Sequence, residues 1–240
     1  MAFNKTISVA DLDEPAVKRR AGELLRFGRG LLLRGQRFAV NGVSKPRWRI
    51  RWHKMWEYAR GLTLVPWQPG WRVIDFGGGA TLPVYFLASR GLHVTSFDID
   101  TALTGEAQAM AAKHRWSLEA STRDLTVEPL RDDETFDWAM SFCVLEHLPR
   151  AQQLDVARQL GRSLKPGGYL SITFDFGDAA PVGGALRAED DVRALAEATG
   201  LQPVDGTLFV DTGERFALDK KYPDAHFTFG SLFLQKRILG

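Results

Sequence analysis

At 240 residues, 45% hydrophobic and 25% charged, the chain has the make-up of one main globular domain with an appendage, which excludes disorder and a collagen-like repeat. A single cysteine, Cys143, excludes an intrachain disulfide and a cysteine-built zinc cage; with no long apolar run and no secretory pattern at the N-terminus, a soluble cytoplasmic protein is expected. The net charge of +2 conceals an asymmetry: residues 18–60 hold thirteen Lys or Arg against Glu23 and Glu57 alone, which leaves 18 basic and 27 acidic residues elsewhere.

Within this basic stretch, Asp11 or Asp13 is placed to cap a first helix with Pro15 in its opening turn and Val17, Ala21, Leu24 and Leu25 on one face. A second helix is predicted after Ser44–Pro46. It sets Trp48, Trp52, Met55, Trp56 and Ala59 at helical spacing, with Arg47, Arg51 and Lys54 toward the other side. Such a tryptophan stripe is read first as packing against the main domain, and second as a lid. The VPWQPG stretch marks a boundary, giving a basic helical arm over 1–66 and a main domain over 67–240.

From Trp71 onward strands alternate with helices. Strands are predicted over 71–76, 93–98, 117–121, 136–142 and 169–176, and helices over 82–89, 101–115, 150–164 and 187–200, the third of these stopping at LKPGG. LQPVDG, TLFV and HFTFGSLFLQKR supply two or three further strands, and the last two have no helix between them, so one runs antiparallel. The expected fold is a Rossmann-like α/β domain: a seven-stranded, mainly parallel sheet with helices on both faces and its last strand antiparallel.

The chemistry centres on Gly77, Gly78 and Gly79, which follow the first main-domain strand. Glycines there let backbone approach a ligand and open a helix whose amides favour negative charge. A dinucleotide fingerprint would need a third glycine where Leu82 stands, and a P-loop would need a Gly-Lys-Ser/Thr that is missing. Asp75 beside the turn repels a pyrophosphate and suits an amine-bearing ligand. Asp98, 23 residues on, ends the second strand in the position from which an acid bonds ribose hydroxyls, and Asp124 follows the third strand within reach of an adenine amino group.

This ordered set resembles the class I S-adenosylmethionine-dependent methyltransferase family, of the small-molecule type, over about residues 70–176. The resemblance rests on VIDFGGGA at 73–80, SFDID around Asp98, STRDLTVEPL around Asp124, FDWAMSFCVLEHLP at 136–149 and LKPGGYLSI at 164–172. It implies S-adenosylmethionine as cofactor and no metal, with Asp75 near the methionine amino group and Gly77 to Gly79 wrapping the cofactor. Asp98 would hold the ribose, Ile99 would lie against the adenine, Asp124 and Leu125 would meet the adenine edge, and Phe142 would join the contacts from the fourth motif. Thr81 departs from the family's usual third glycine.

The implied reaction moves a methyl group to an oxygen or nitrogen of a small acceptor, with anionic or sugar-like molecules as candidates. His147, just after the fourth strand, is the candidate catalytic base, weighed against a structural histidine, with Glu146 and Asp175 beside it. Cys143 lacks the preceding proline of the pyrimidine-carbon enzymes and is not read as a nucleophile. His53, Tyr58, Tyr222 and His226 are acceptor-pocket candidates on residue type alone. Acceptor specificity is expected in the arm and in segments 177–187 and 211–225.

Two alternatives remain. One is an RNA methyltransferase that uses the arm's arginines and tryptophans, disfavoured because Ser141–Val144 lacks the Asn/Asp-Pro-Pro-aromatic tetrad of base-amino enzymes. The other is a non-catalytic protein that binds the cofactor or docks through its basic arm on a membrane or an acidic partner. Nothing in the sequence speaks to oligomeric state.

Overall fold

A computed structural model describes residues 2–218 and 223–238. The chain opens with strand β1 (Lys5–Thr6), a short 3-10 turn over Val9–Asp13 and helix α1 (Pro15–Leu33). Neither expected aspartate caps α1; Glu14 precedes Pro15 at the N-cap position. Asp11 is instead buried, accepting Lys5 Nζ at 2.5 Å and Trp56 Nε1 at 2.9 Å.

Strands β2 (Phe38–Val40) and β3 (Val43–Lys45) form a hairpin. Its two linking residues, Asn41 and Gly42, have φ of 50° and 68°, the left-handed pair that an Asn-Gly turn adopts because its twist matches the flanking strands. This hairpin immediately precedes the stretch read as the second helix, whose first residues, 46–51, are not helical. Helix α2 runs from Trp52 to Thr63, so Trp48 lies outside it and is exposed, while Trp56 is fully buried.

The main domain follows in the expected alternation: β4 (Arg72–Phe76), α3 (Leu82–Ser89), β5 (His93–Asp98), α4 (Thr101–His114), β6 (Leu118–Thr122), β7 (Phe136–Phe142), α5 (Arg150–Ser163), β8 (Leu164–Phe176) and α6 (Glu189–Thr199). Strand β8 begins five residues earlier than predicted. Leu164 already pairs with Phe136, and a bulge between Phe136 and Trp138 absorbs the LKPGG turn. Short strands β9 (Gln202–Pro203) and β10 (Phe216–Ala217) precede β11 (His226–Gln235). TLFV forms no strand of its own, although Val210 bridges to Lys5.

The sheet runs β1-β11-β8-β7-β4-β5-β6. Strands β8, β7, β4, β5 and β6 are mutually parallel and β11 is antiparallel to β8, as expected for the last strand. The far edge of β11 is covered by three two-residue strands from distant parts of the chain: β9 at Leu234–Gln235, β1 at Gly230–Ser231 and β10 at His226–Phe227.

The first 66 residues are built into this architecture rather than draped over it. Val17, Leu24 and Leu31 of α1, Phe38 of the hairpin, and Tyr58 and Leu62 of α2 share one buried cluster with Val73, Tyr85 and Trp138. A second cluster on the opposite face joins α5 and α6 to Ile74, Ala139 and Ile172. Burying each large apolar side chain contributes about 1.5–3 kcal/mol, so α2 is held down firmly over the ends of β7, β8 and β11.

Candidate active site

Parallel strands end together, and the ends of β4, β5 and β7 define the first half of the site. Asp75, in β4, is buried; its Oδ2 accepts the Gly78 N–H at 3.0 Å and the Ser96 hydroxyl at 2.6 Å, bracing the glycine turn. Burial pushes its pKa up to about 7, against the pull of these bonds. The turn has no room for side chains. A Cβ on Gly78 would stand 2.2 Å from Asp75 Oδ2, and one on Gly77, where φ is 79°, would stand 2.4 Å from Val144 Cγ1. Gly79 comes so near Asp98 that a Cβ there would lie 2.8 Å from Oδ2.

Asp98 Oδ1 accepts the Asp100 N–H at 2.9 Å, and burial raises the pKa of the carboxyl. Next to it Ile99 is 72% exposed, an apolar side chain standing at the mouth of the site with no apolar cover. Asp124 is half-buried, and its Oδ1 is engaged by the Thr126 N–H at 2.8 Å and hydroxyl at 2.7 Å. Leu125 points into the core, so only its backbone can meet a ligand. Phe142 ends β7 half-buried beneath α2, where a Cβ on Gly61 would stand 2.4 Å from its ring.

The second half lies under α2. Lys54 Nζ and Cys143 Sγ both donate to Glu57 Oε2 at 2.7 Å, and Cys143 Sγ lies 3.7 Å from Thr173 Oγ1. Donor atoms of Cys143, Glu146 and Asp175 fall within 4.8 Å of one another. Burial, then the charge of Asp175, raises the Glu146 pKa to about 8. Burial and the neighbouring Glu57 carboxylate keep the Cys143 thiol protonated. Among the described residues, Glu57 Oε1 and Glu146 Oε2 are buried without any hydrogen-bond partner. The ring of His53 stacks on Phe229 at 5.2 Å, and burial beside Lys54 lowers its pKa to about 4, so it is neutral.

Consecutive residues join the halves: Val144 packs on Gly77, while Cys143 bonds to Glu57. Cys143 adopts φ of 53°, a backbone state uncommon outside glycine, and the sharp bend turns the two side chains to different neighbours. Glu146 also lines a cleft of about 730 Å³ with His147, Arg150, Gln153 and Arg187.

His147 stands exposed at the rim, its pKa lowered by desolvation and by Lys54, with no partner for its ring among the described residues. Tyr58 is buried in the core, and burial raises its phenol pKa; His226 is exposed at the start of β11, and Tyr222 lies outside the described residues. Sequence reading did not foresee Lys54 and Glu57 as site residues. The available signal was Glu57 itself, the first acid after a 33-residue stretch without one and adjacent to Trp56.

Comparison with known proteins bears on the first half. Residues 73–168, from β4 to the turn inside β8, match the family profile described as a methyltransferase domain. Over these residues the chain carries a methyltransferase domain. Two curated relatives are similar to it: the ubiquinone biosynthesis O-methyltransferase of Alkalilimnicola ehrlichii, 32% identical over 103 residues, and that of Paracidovorax citrulli, 33% identical over 114. These matches span 42% and 45% of the chain and 40% and 44% of the relatives' own lengths.

Among solved structures, the [4+2]-cyclase SpnF superposes with a TM-score of 0.60 at 17% identity, covering 93% of this chain and 97% of SpnF. The Haemonchus contortus phosphoethanolamine N-methyltransferase 2, crystallised with S-adenosyl-L-methionine, gives 0.56 at 17% identity, over 72% of this chain and 50% of that one. At such identities the likeness concerns the fold. The methyltransferase domain's cofactor, S-adenosylmethionine, fits a side-chain-free glycine turn ringed by Asp98 and the uncovered Ile99.

Proposed function

We propose that the chain transfers the methyl group of S-adenosylmethionine to a hydroxyl oxygen of a small molecule held beneath α2 by Glu57 and Glu146. The observation that carries this reading is the pair of buried carboxylate oxygens without partners. A buried acceptor left unsatisfied costs about 1–3 kcal/mol, so the cluster suits a ligand that brings hydrogen-bond donors. It does not suit an anion, because the arm's inward cations are engaged: Lys54 with Glu57, and Arg60 with the carbonyls of Ala2 and Phe3 and the Ser231 hydroxyl. The names of the curated relatives support oxygen over nitrogen.

In this reading Gly77–Gly79, Asp98, Ile99 and the Asp124 loop hold the cofactor, which supplies an activated methyl group. The protein's task is alignment, exclusion of water and removal of one proton. We assign the proton to Glu146 rather than to His147. A carboxylate with a pKa near 8 is a stronger base than an ordinary one and better matched to a hydroxyl. Helix α2 closes the pocket, and Lys54 orients Glu57 and favours its ionised form against the burial that raises its pKa.

Calorimetric titration with S-adenosylhomocysteine, with NAD as control, tests the donor half. Transfer of tritiated methyl to a panel of phenols, aliphatic alcohols and amines tests the acceptor half. Labelled ether products are expected. Labelled amines with no labelled ether would overturn the choice of oxygen, and absence of S-adenosylhomocysteine binding would overturn the donor site.

A further inference from the structure

The outer surface of the first 66 residues takes no part in the site. Between residues 24 and 56 the chain holds nine Lys or Arg and no Asp or Glu. Four of the nine are engaged close to the protein: Lys54 with Glu57, Arg37 with Glu106, Arg51 donating to the Leu218 carbonyl at 3.1 Å, and Arg47 reaching the Val40 carbonyl at 3.5 Å. Arg29, Arg34 and Arg49 are exposed and make no ion pair among the described residues. Set among these cations are large apolar side chains that face water: Leu33 is 77% exposed, Trp48 57% and Val43 49%.

These residues lie on consecutive elements, the end of α1, the hairpin and the link to α2. The hairpin is tied to the end of α1, where the Gln36 N–H bonds the Leu31 carbonyl and Phe38 packs so near Gly28 that a Cβ there would stand 3.3 Å from its ring. Leu33 is on the last turn of α1, Val43 follows the Asn41–Gly42 turn, and Trp48 lies at a bend in the link to α2. Among the described residues no helix is long and apolar enough to cross a membrane, so contact with a bilayer would be made from one side.

We propose that this surface docks on an anionic lipid bilayer, with Leu33, Val43 and Trp48 entering the interface and the surrounding arginines facing lipid phosphates. Cations clustered beside an anionic surface add their attractions within a Debye length. An indole suits the headgroup region, with its apolar body inward and its N–H toward water. Leucine and valine decide against nucleic acid, since neither stacks on a base or bonds a phosphate. The stretch runs into Trp52, the first residue of α2, so a docked bilayer would border the helix that covers the acceptor pocket.

Flotation with phosphatidylcholine vesicles, with and without about a third phosphatidylglycerol, tests this on the full chain. Wild-type protein is expected to float with the anionic vesicles roughly tenfold more than with the neutral ones, and less in high salt. The combined substitution Leu33→Ser, Val43→Ser and Trp48→Ser should reduce flotation at least fivefold, and Arg34→Glu with Arg49→Glu should do the same. Far-UV circular dichroism and S-adenosylhomocysteine affinity should stay unchanged, which separates lost docking from lost folding. No flotation of the wild type, or flotation indifferent to both sets, overturns the proposal. So does retention on homopolymer RNA without flotation, which would assign the surface to a soluble polyanion.

Discussion

The proposed donor half and the proposed acceptor half of the site are neighbours built on opposite plans. Around the cofactor position the work is done by main chain: three glycines, a bracing aspartate and strand ends in register, with residues from one segment of the chain. Under α2 it is done by side chains brought from residues 53–57, 143–146 and 175, which touch only once the sheet and the arm have folded together. Backbone geometry tolerates little change, since a Cβ at any of the three glycines would clash with a neighbouring side chain. A cluster of long polar side chains can be rebuilt by substitution, which is why acceptor chemistry can vary over a constant donor site.

Substitutions in the two halves should therefore fail differently, and the sharpest failure belongs to the turn. Gly78→Ala forces a methyl group to 2.2 Å from Asp75 Oδ2, and calorimetry should find S-adenosylhomocysteine binding weakened beyond measurement, at least a hundredfold. Next comes Glu146→Gln, expected to lower turnover by about 10²–10³ with cofactor affinity unchanged. Wild-type turnover should rise with pH through about 8, as Glu146 must be ionised to accept a proton, and the variant should lose that limb. A larger loss in His147→Ala than in Glu146→Gln would reverse the assignment of the base.

Asp98→Ala should weaken S-adenosylhomocysteine binding by ten-fold or more, since a bond to a charged group contributes about 1.5–3 kcal/mol. A Kd equal to that of the wild type would remove Asp98 from the donor site. Smaller again is a stability effect. Glu146 and Asp75 have folded-state pKa values near 8 and 7, against ordinary values of 4.5 and 3.8. Between these limits the folded state binds more protons than the unfolded one, so stability falls as pH rises from about 4 to 8. Melting curves across that range should show the decline, and Glu146→Gln should flatten it. Cys143→Ser should change turnover least, by under about threefold, because a hydroxyl can replace the thiol as the donor to Glu57.

Legibility followed the same division. The glycine turn, and the limits of β5 and β7, could be read directly, because buried parallel strands and their turns leave a dense local signal. Where tertiary pairing decided the matter, reading fell short. LKPGG ends α5 as read but is also the start of β8, five residues ahead of the predicted strand, and three-residue strands hid the hairpin although Asn41–Gly42 advertises its turn. Lys54 and Glu57 looked like a solvated face. Burial of Trp56 between them shows why spacing alone misleads: every residue of α2 from His53 to Leu62 is buried, so no side of its central turns is left for water.

The pairing of Lys5 with Ser231 joins residues 226 positions apart in the sequence. A chain made from its N-terminus must hold β1 unplaced until nearly the whole sheet exists, and loop-closure entropy makes so distant a contact slow to form. Asp11, which anchors Trp56 of α2, lies just beyond that strand. The pocket cover and the last edge of the sheet should therefore lock in the same late kinetic step, and a nascent domain would present its donor turn to solvent before it could enclose an acceptor.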